Sequence, residues 1–122
     1  MRVASRFQMK SIDESLLKHY TIEQLVDKAS DCLVEEVSKF KHVIIVCGTG
    51  NNGADGYSLA LKVNAKVLAC EISGMSQACE YYYNQCLEKH LLIPNDMFMT
   101  EMQNCDCIVD AIFGFGCHSN PR

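Results

Sequence analysis

HVIIVCGTGNNGADGY, residues 42–57, decides how the chain folds. Its first part, His42 to Cys47, is a continuous β-branched run bounded by charge on one side and glycine on the other. A strand that is apolar at every position, without alternation, is buried on both faces, as in a parallel sheet. Gly48, Gly50 and Gly53 follow at once in the spacing G-x-G-x-x-G, and a short helix is expected over Tyr57–Asn64. Strand, glycine loop and helix in that order form the opening unit of a doubly wound α/β sheet.

Upstream, Thr21-Ile22-Glu23-Gln24 has the form of a capping box, with Thr21 capping a helix and Gln24 reaching back. Ile22, Leu25, Val26, Ala29, Leu33 and Val37 then recur at helical spacing through Lys39. Downstream, Ala65–Glu71 (AKVLACE) is a second strand and Ser76–His90 a second long helix, with Ala78, Cys79, Tyr82, Cys86 and Leu87 on one side. Leu91–Ile93 is a short strand stopped by Pro94, Thr100–Asn104 a helical turn and Cys107–Ala111 (CIVDA) another buried strand; residues 112–122 form a glycine-bearing loop. Strands alternating with helices give an α/β fold: a three-layer, Rossmann-like parallel sheet with helices on both faces. The pattern stops after a strand and loop without a covering helix, so the C-terminal part of the domain is expected to be missing and the chain to belong to a longer protein. Residues 1–8 read as an N-terminal extension.

Composition removes several function classes. At 122 residues, 48% apolar and 21% charged, the chain is one globular domain at most. A net charge of −4 with scattered basic residues gives no electrostatic case for nucleic acid or an anionic membrane surface. The longest apolar run, Val43–Cys47, is far short of the roughly 20 residues that cross a bilayer. The opening MRVASRFQMK has no apolar core and is not a secretory signal; an N-terminal extension and part of a transit sequence both remain open. The eight cysteines show no C-x-x-C and end strand-like runs or recur on a helical pattern. They read as small buried hydrophobes in a reducing compartment, not as a disulfide scaffold or a zinc site. A cytoplasmic location is expected, with the mitochondrion as the alternative.

The glycine loop satisfies a dinucleotide fingerprint on paper, since Glu71 lies 18 residues beyond Gly53 at the place of a ribose-binding acid. Asn51, Asn52 and Asp55 argue otherwise: Asp55 would repel a phosphate at the helix N-terminus, and the expected helix is short for a cofactor-binding crossover. No Gly-Lys-Ser/Thr follows, which excludes a P-loop. Two asparagines and a carboxylate suit a hard cation or sugar hydroxyls, while the bland alternative is an Asn-Asn-Gly turn. Asp110, set in an apolar strand, is expected beside residues 50–55 across the reversal of strand order. It is either a ligand-binding carboxylate or a cap for neighbouring backbone N–H groups. Gly114 and Gly116 follow it and free backbone N–H groups for an anion.

GTGNNGADG (48–56) and VDAIFGFG (109–116) together resemble the NAD(P)H-hydrate epimerase family, the YjeF N-terminal domain, whose loop reads G-x-G-N-N-G-G-D-G and whose second segment reads V-D-A-[IL]-F-G-x-G. The helix containing Leu25-Val26-Asp27-Lys28-Ala29-Ser30 is similar to that family's L-M-E-x-A-G helix, and the likeness covers residues 9–122. The resemblance implies a Rossmann-like homodimer that interconverts the R and S forms of hydrated NADH or NADPH for nicotinamide nucleotide repair, with potassium holding the ligand. It implies that Asn51, Asn52, Gly53, Ala54 and Asp55 contact the hydrated nucleotide, and that Asn52 and Asp110 ligate potassium. It also implies that Gly114, Phe115, Gly116, Cys117, His118, Ser119 and Asn120 wrap the phosphates. Ala54 replaces a family glycine, and Cys117-His118-Ser119-Asn120 departs from the usual loop. The family's D-I-P-S-G segment is absent from these residues, so the catalytic aspartate is expected beyond residue 122; His118 is a local substitute or a solvated histidine. Two other classes stand beside this one: a non-catalytic scaffold or dimerisation module of the same fold, and a fragment of an NAD-dependent oxidoreductase.

Overall fold

The computed structural model describes residues 2–7, 21–112 and 115–119. Among them, five strands form one sheet: β1 (Arg2–Phe7), β2 (Val43–Cys47), β3 (Lys66–Ala69), β4 (Cys107–Ala111) and β5 (Phe115–Ser119), in the order β1-β5-β4-β2-β3. The helices are α1 (Ile22–Val37), α2 (Asn51–Val63), α3 (Gln77–Glu88) and α4 (Phe98–Asn104), the last preceded by a 3₁₀ turn at Asn95–Met97.

The α/β fold is the Rossmann-like one expected. β2 lies between β3 and β4 and runs parallel to both, with Ile45 opposite Val67 on one side and Val109 on the other. Leu92 forms a single parallel bridge with Val67, so the strand expected at Leu91–Ile93 is reduced to one residue pair. Strand order therefore reverses between β2 and β4, the junction where open α/β sheets bind ligands.

Two expectations fail here. The sheet is mixed, because β5 pairs antiparallel with β4 and with β1. Phe115, Gly116, Cys117, His118 and Ser119, expected in a loop, are thus an interior strand, and residues 2–7, inside the expected extension, form the edge strand beside it. Glycines at 114 and 116 read locally as a loop, but pairing on both sides of residues 115–119 makes the strand. Gly114 and Asn120 lie outside the described residues.

The second correction concerns α2, which begins at Asn51 rather than Tyr57 and runs 13 residues. Asn-Asn-Gly-Ala-Asp-Gly has poor helix propensity, and packing overrides it. A Cβ on Gly56 would sit 2.6 Å from Cys47 Sγ and 2.7 Å from Ala111 Cβ, so the glycine lets the helix lie directly on β2 and β4. A Cβ on Gly53 would collide with the Gly48 carbonyl. The two glycines that look like loop residues are contact points of a buried helix.

The two faces of the sheet differ. On one, Val26, Leu33 and Val37 of α1, Tyr57, Leu59 and Ala60 of α2, and Ala78, Cys79 and Cys86 of α3 pack on Ile45, Cys47, Val67, Cys107, Val109 and Ala111. On the other, Ile44, Ile93 and Cys105 are buried together, while Val46, Ile108 and Met102 of α4 are only half-buried around them. The α1 capping box forms as expected: Thr21 N–H donates to Gln24 Oε1 at 2.8 Å, and Gln24 N–H to Thr21 Oγ1 at 3.1 Å. A polar clasp joins α1 to α2, in which Lys62 Nζ donates to Ser30 Oγ at 2.7 Å and Ser30 Oγ lies 3.0 Å from Ser58 Oγ. The seven described cysteines form no disulfide with one another; five are buried, as expected, but Cys32 and Cys70 are exposed. No described helix is long and apolar enough to cross a membrane.

Candidate functional site

The C-terminal ends of β2, β3 and β4 are tied together by backbone hydrogen bonds. Gly48 N–H donates to Ala111 O at 3.0 Å, and Cys70 N–H to Cys47 O at 3.0 Å. Ser76 N–H donates to Thr49 O at 2.9 Å, which fastens the segment after β3 to the glycine loop. Gly48 also approaches Ile112, and Cys79 Sγ lies 3.5 Å from Gly48 O. The loop is held on three sides before any ligand is considered.

Gly50 caps α2 in an extended conformation without a side-chain hydrogen bond, and a Cβ there would meet open space. The first turn carries no acidic residue. The first N–H groups of a helix have no partner within it, and here they stand at the mouth of the junction. Asn51 is exposed and Asn52 half-buried at this start, whereas Gly53, Ala54 and Asp55 are buried in the helix. Ala54, where the family pattern has glycine, adopts ordinary helical backbone, so the substitution introduces no strain.

Asp55 lies one turn further in than the sequence suggested. It is 0% exposed, and neither carboxylate oxygen has a hydrogen-bond partner among the described residues. Burial pushes its carboxyl up to about 8, so at neutral pH it is mostly protonated. The repulsion that an ionised Asp55 would exert on an anion at the helix start is therefore removed, and α2 is long enough for a crossover. Both arguments that these features supplied against a phosphate at this loop fall away. The Tyr57 hydroxyl is likewise buried with no hydrogen-bond partner among the described residues, its ring edge-on to Tyr83 at 5.5 Å.

Asp110 pairs with Val46 across the β2–β4 ladder and sits at the same sheet end as the loop, as topology required. Side chains alternate along β4, however, and Val109 and Ala111 face α2. Asp110 falls on the other face with Val46 and Ile108, so the sheet separates it from Asp55. Its Oδ1 accepts the Ile112 N–H at 3.0 Å, which is the capping role. Among the described residues its second oxygen has no hydrogen bond. No group of three or more His, Cys, Asp or Glu side chains is placed to hold a metal ion among the described residues.

Sequence reasoning missed the wall that the segment after β3 contributes. Cys70 to Ser76 is anchored at both ends to β2 and its loop, and Gly74 at φ 78° makes the bend between them. The only local signal was Ser76, which caps α3 by accepting the Cys79 N–H at 3.1 Å. Away from this end, a cleft of about 180 Å³ lined by Val37, Phe40, Lys41, Val63 and Asn64 lies beneath the opposite strand ends. It holds none of the candidate residues.

Comparison with known proteins agrees with the geometry. The family described as YjeF-related protein N-terminus matches residues 18–122. The chain is 26% identical to the NAD(P)H-hydrate epimerase of Paramecium tetraurelia over 123 residues, covering 91% of this chain and 53% of that protein. It is 30% identical to the protein of that name from Entamoeba histolytica, over 94% of this chain and 56% of the relative. With the Plasmodium vivax protein the identity is 29%, over 93% and 44%. The chain thus spans about half the length of the curated relatives it matches.

Proposed function

The chain belongs to the family of YjeF-related protein N-termini, and from that premise we propose that the whole protein interconverts the R and S forms of hydrated NADH or NADPH, in nicotinamide nucleotide repair. The observation that carries this reading is a convergence at one sheet end. An uncapped helix N-terminus bearing Asn51 and Asn52 meets the end of β4, where Asp110 stands. The N–H groups at the start of α2 suit a phosphate, and the asparagine amides suit ribose or hydrated-ring hydroxyls. Asp55, held neutral beneath them, adds no negative charge of its own to that anion site.

Potassium is part of the proposal. An amide oxygen from Asn52 and a carboxylate oxygen from Asp110 are donors that a hard cation accepts, and Asp110 keeps one oxygen without a hydrogen bond among the described residues. Asn52 and Asp110 would hold the ion, which supplies positive charge against the nucleotide's oxygens.

The test is an epimerisation assay on a purified R,S mixture of hydrated NADH, with the full natural chain, in potassium and in a potassium-free buffer. Interconversion in potassium, reduced without it, is the expected result. No interconversion in either buffer would sink the enzyme reading and favour the scaffold alternative.

A further inference from the structure

We infer that Glu71 sets nucleotide preference at this site, favouring the nucleotide with a free ribose 2′-hydroxyl over its 2′-phosphorylated counterpart; the inference rests on the epimerase reading above. Glu71 follows β3 by two residues and is exposed. β3 neighbours β2 on the side opposite the strand reversal, so Glu71 stands at the carboxyl end of the second parallel strand. In a doubly wound sheet that position faces the ribose of a nucleotide whose phosphates lie on the first helix. The N-terminus of α2, with no side-chain cap and open space at Gly50, provides the phosphate end of the same arrangement.

The side chain is held by its own segment. Ser73 Oγ donates to Glu71 Oε1 at 3.1 Å, leaving the carboxylate its other oxygen to accept hydroxyl hydrogens. Its backbone neighbours are fixed too: Cys70 N–H bonds Cys47 O at 3.0 Å, and Ser76 N–H bonds Thr49 O at 2.9 Å. A carboxylate fixed to the phosphate loop at this distance along the chain accepts hydrogen bonds from a vicinal diol. It repels a phosphate in the same place, and that penalty discriminates more than the lost hydrogen bonds do.

Among the described residues, the segment that carries Glu71 builds no compensating cation beside it. The sequence from Ala69 to Gln77 contains neither lysine nor arginine. Lys66, on the same strand, lies at its opposite end and is paired with Glu101 at 2.7 Å. Lys62 is committed to Asp27 and Asp31 of α1. Where a 2′-phosphate is accepted, an arginine usually stands near this position.

The measurement is kcat/KM for hydrated NADH and hydrated NADPH, on the full natural chain and on Glu71→Gln and Glu71→Arg, with thermal melts alongside. The parent protein is expected to favour hydrated NADH by about tenfold or more, Glu71→Gln to bring the ratio towards one and Glu71→Arg to reverse it. All three should melt together, because Glu71 is solvent-exposed. A parent ratio near one, or a ratio unmoved in both variants while turnover persists, overturns the inference and leaves the epimerase reading standing. No turnover of either nucleotide by the parent overturns that reading, and this inference with it.

Discussion

Asp55 and Asp110 stand near the same end of the sheet but on opposite faces, and the two faces are built differently. Asp55 belongs to the face covered by α1, α2 and α3, where α2 lies so close to the sheet and to the Gly48 loop that a glycine is needed at each contact. Its carboxyl is sealed from water and from every described donor. Asp110 belongs to the face covered by α4, where Val46 and Ile108 are half-buried, and it retains a backbone hydrogen bond and a carboxylate oxygen to offer. One aspartate is a neutral component of the core, the other a polar group at an open rim. Identical chemistry at one end of a sheet thus takes two roles, set by which side of a strand or helix each residue occupies.

The glycine contacts should show the contrast most strongly. Gly53→Ala and Gly56→Ala are expected to cost about 3 kcal/mol or more each, read as the shift of a urea midpoint. Gly53 should be the worse, because the two nearest atoms its Cβ would meet are backbone while those near Gly56 are side chains. Gly50→Ala, with nothing near the added methyl, is the control and should shift the midpoint little. Equal tolerance at all three positions would break the close-packed description of α2.

Next comes the pH response. Asp55 has its ordinary affinity for protons when unfolded and holds its proton to about 8 when folded. The unfolded state therefore binds fewer protons between those values, and stability falls as pH rises through that window, by up to about 1.4 kcal/mol per unit. Between about pH 6 and pH 8 the loss should reach about 2 kcal/mol, and Asp55→Asn should flatten it. A wild-type profile that is already flat there would mean that Asp55 finds a donor.

A smaller effect separates the faces directly. Val109→Ala, on the sealed side, should cost about 2 kcal/mol, and Ile108→Ala, one residue away on the half-open side, about 1 kcal/mol although it removes more atoms. The reverse order would erase the distinction between the two faces. The smallest change is expected from Lys62→Met. It breaks ion pairs with Asp27 and Asp31 whose carboxylates are largely solvated, and chemical denaturation should register no more than about 1 kcal/mol.

The strands and the long helices were legible because their patterns are local. CIVDA is a strand to the residue, HVIIVC is one from its second residue on, and the T-I-E-Q box marked the start of α1. The start of α2 was hidden, because the glycines that look like a loop act through contacts with Cys47, Ala111 and Gly48, distant or adjacent in ways that propensity does not register. β5 was hidden for a similar reason, as its pairing with β1 joins residues more than a hundred positions apart. At the site, the sequence placed Asn51, Asn52 and Asp110 at one sheet end correctly. It could not show that strand alternation turns Asp110 away from Asp55, since that depends on which face α2 covers. Nor could it show that Asp55 is neutral, which follows from a burial that only the packed helix creates.

The most direct test of the central claim is to measure Asp110→Ala twice, for affinity towards hydrated NADH in potassium buffer and for melting temperature. If the rim of β4 is part of the nucleotide and cation site, affinity falls by about tenfold or more while the melting temperature moves by only a few degrees, about what one lost cap hydrogen bond costs. A melting temperature that drops sharply while affinity is unchanged would make Asp110 a structural cap alone and contradict the account.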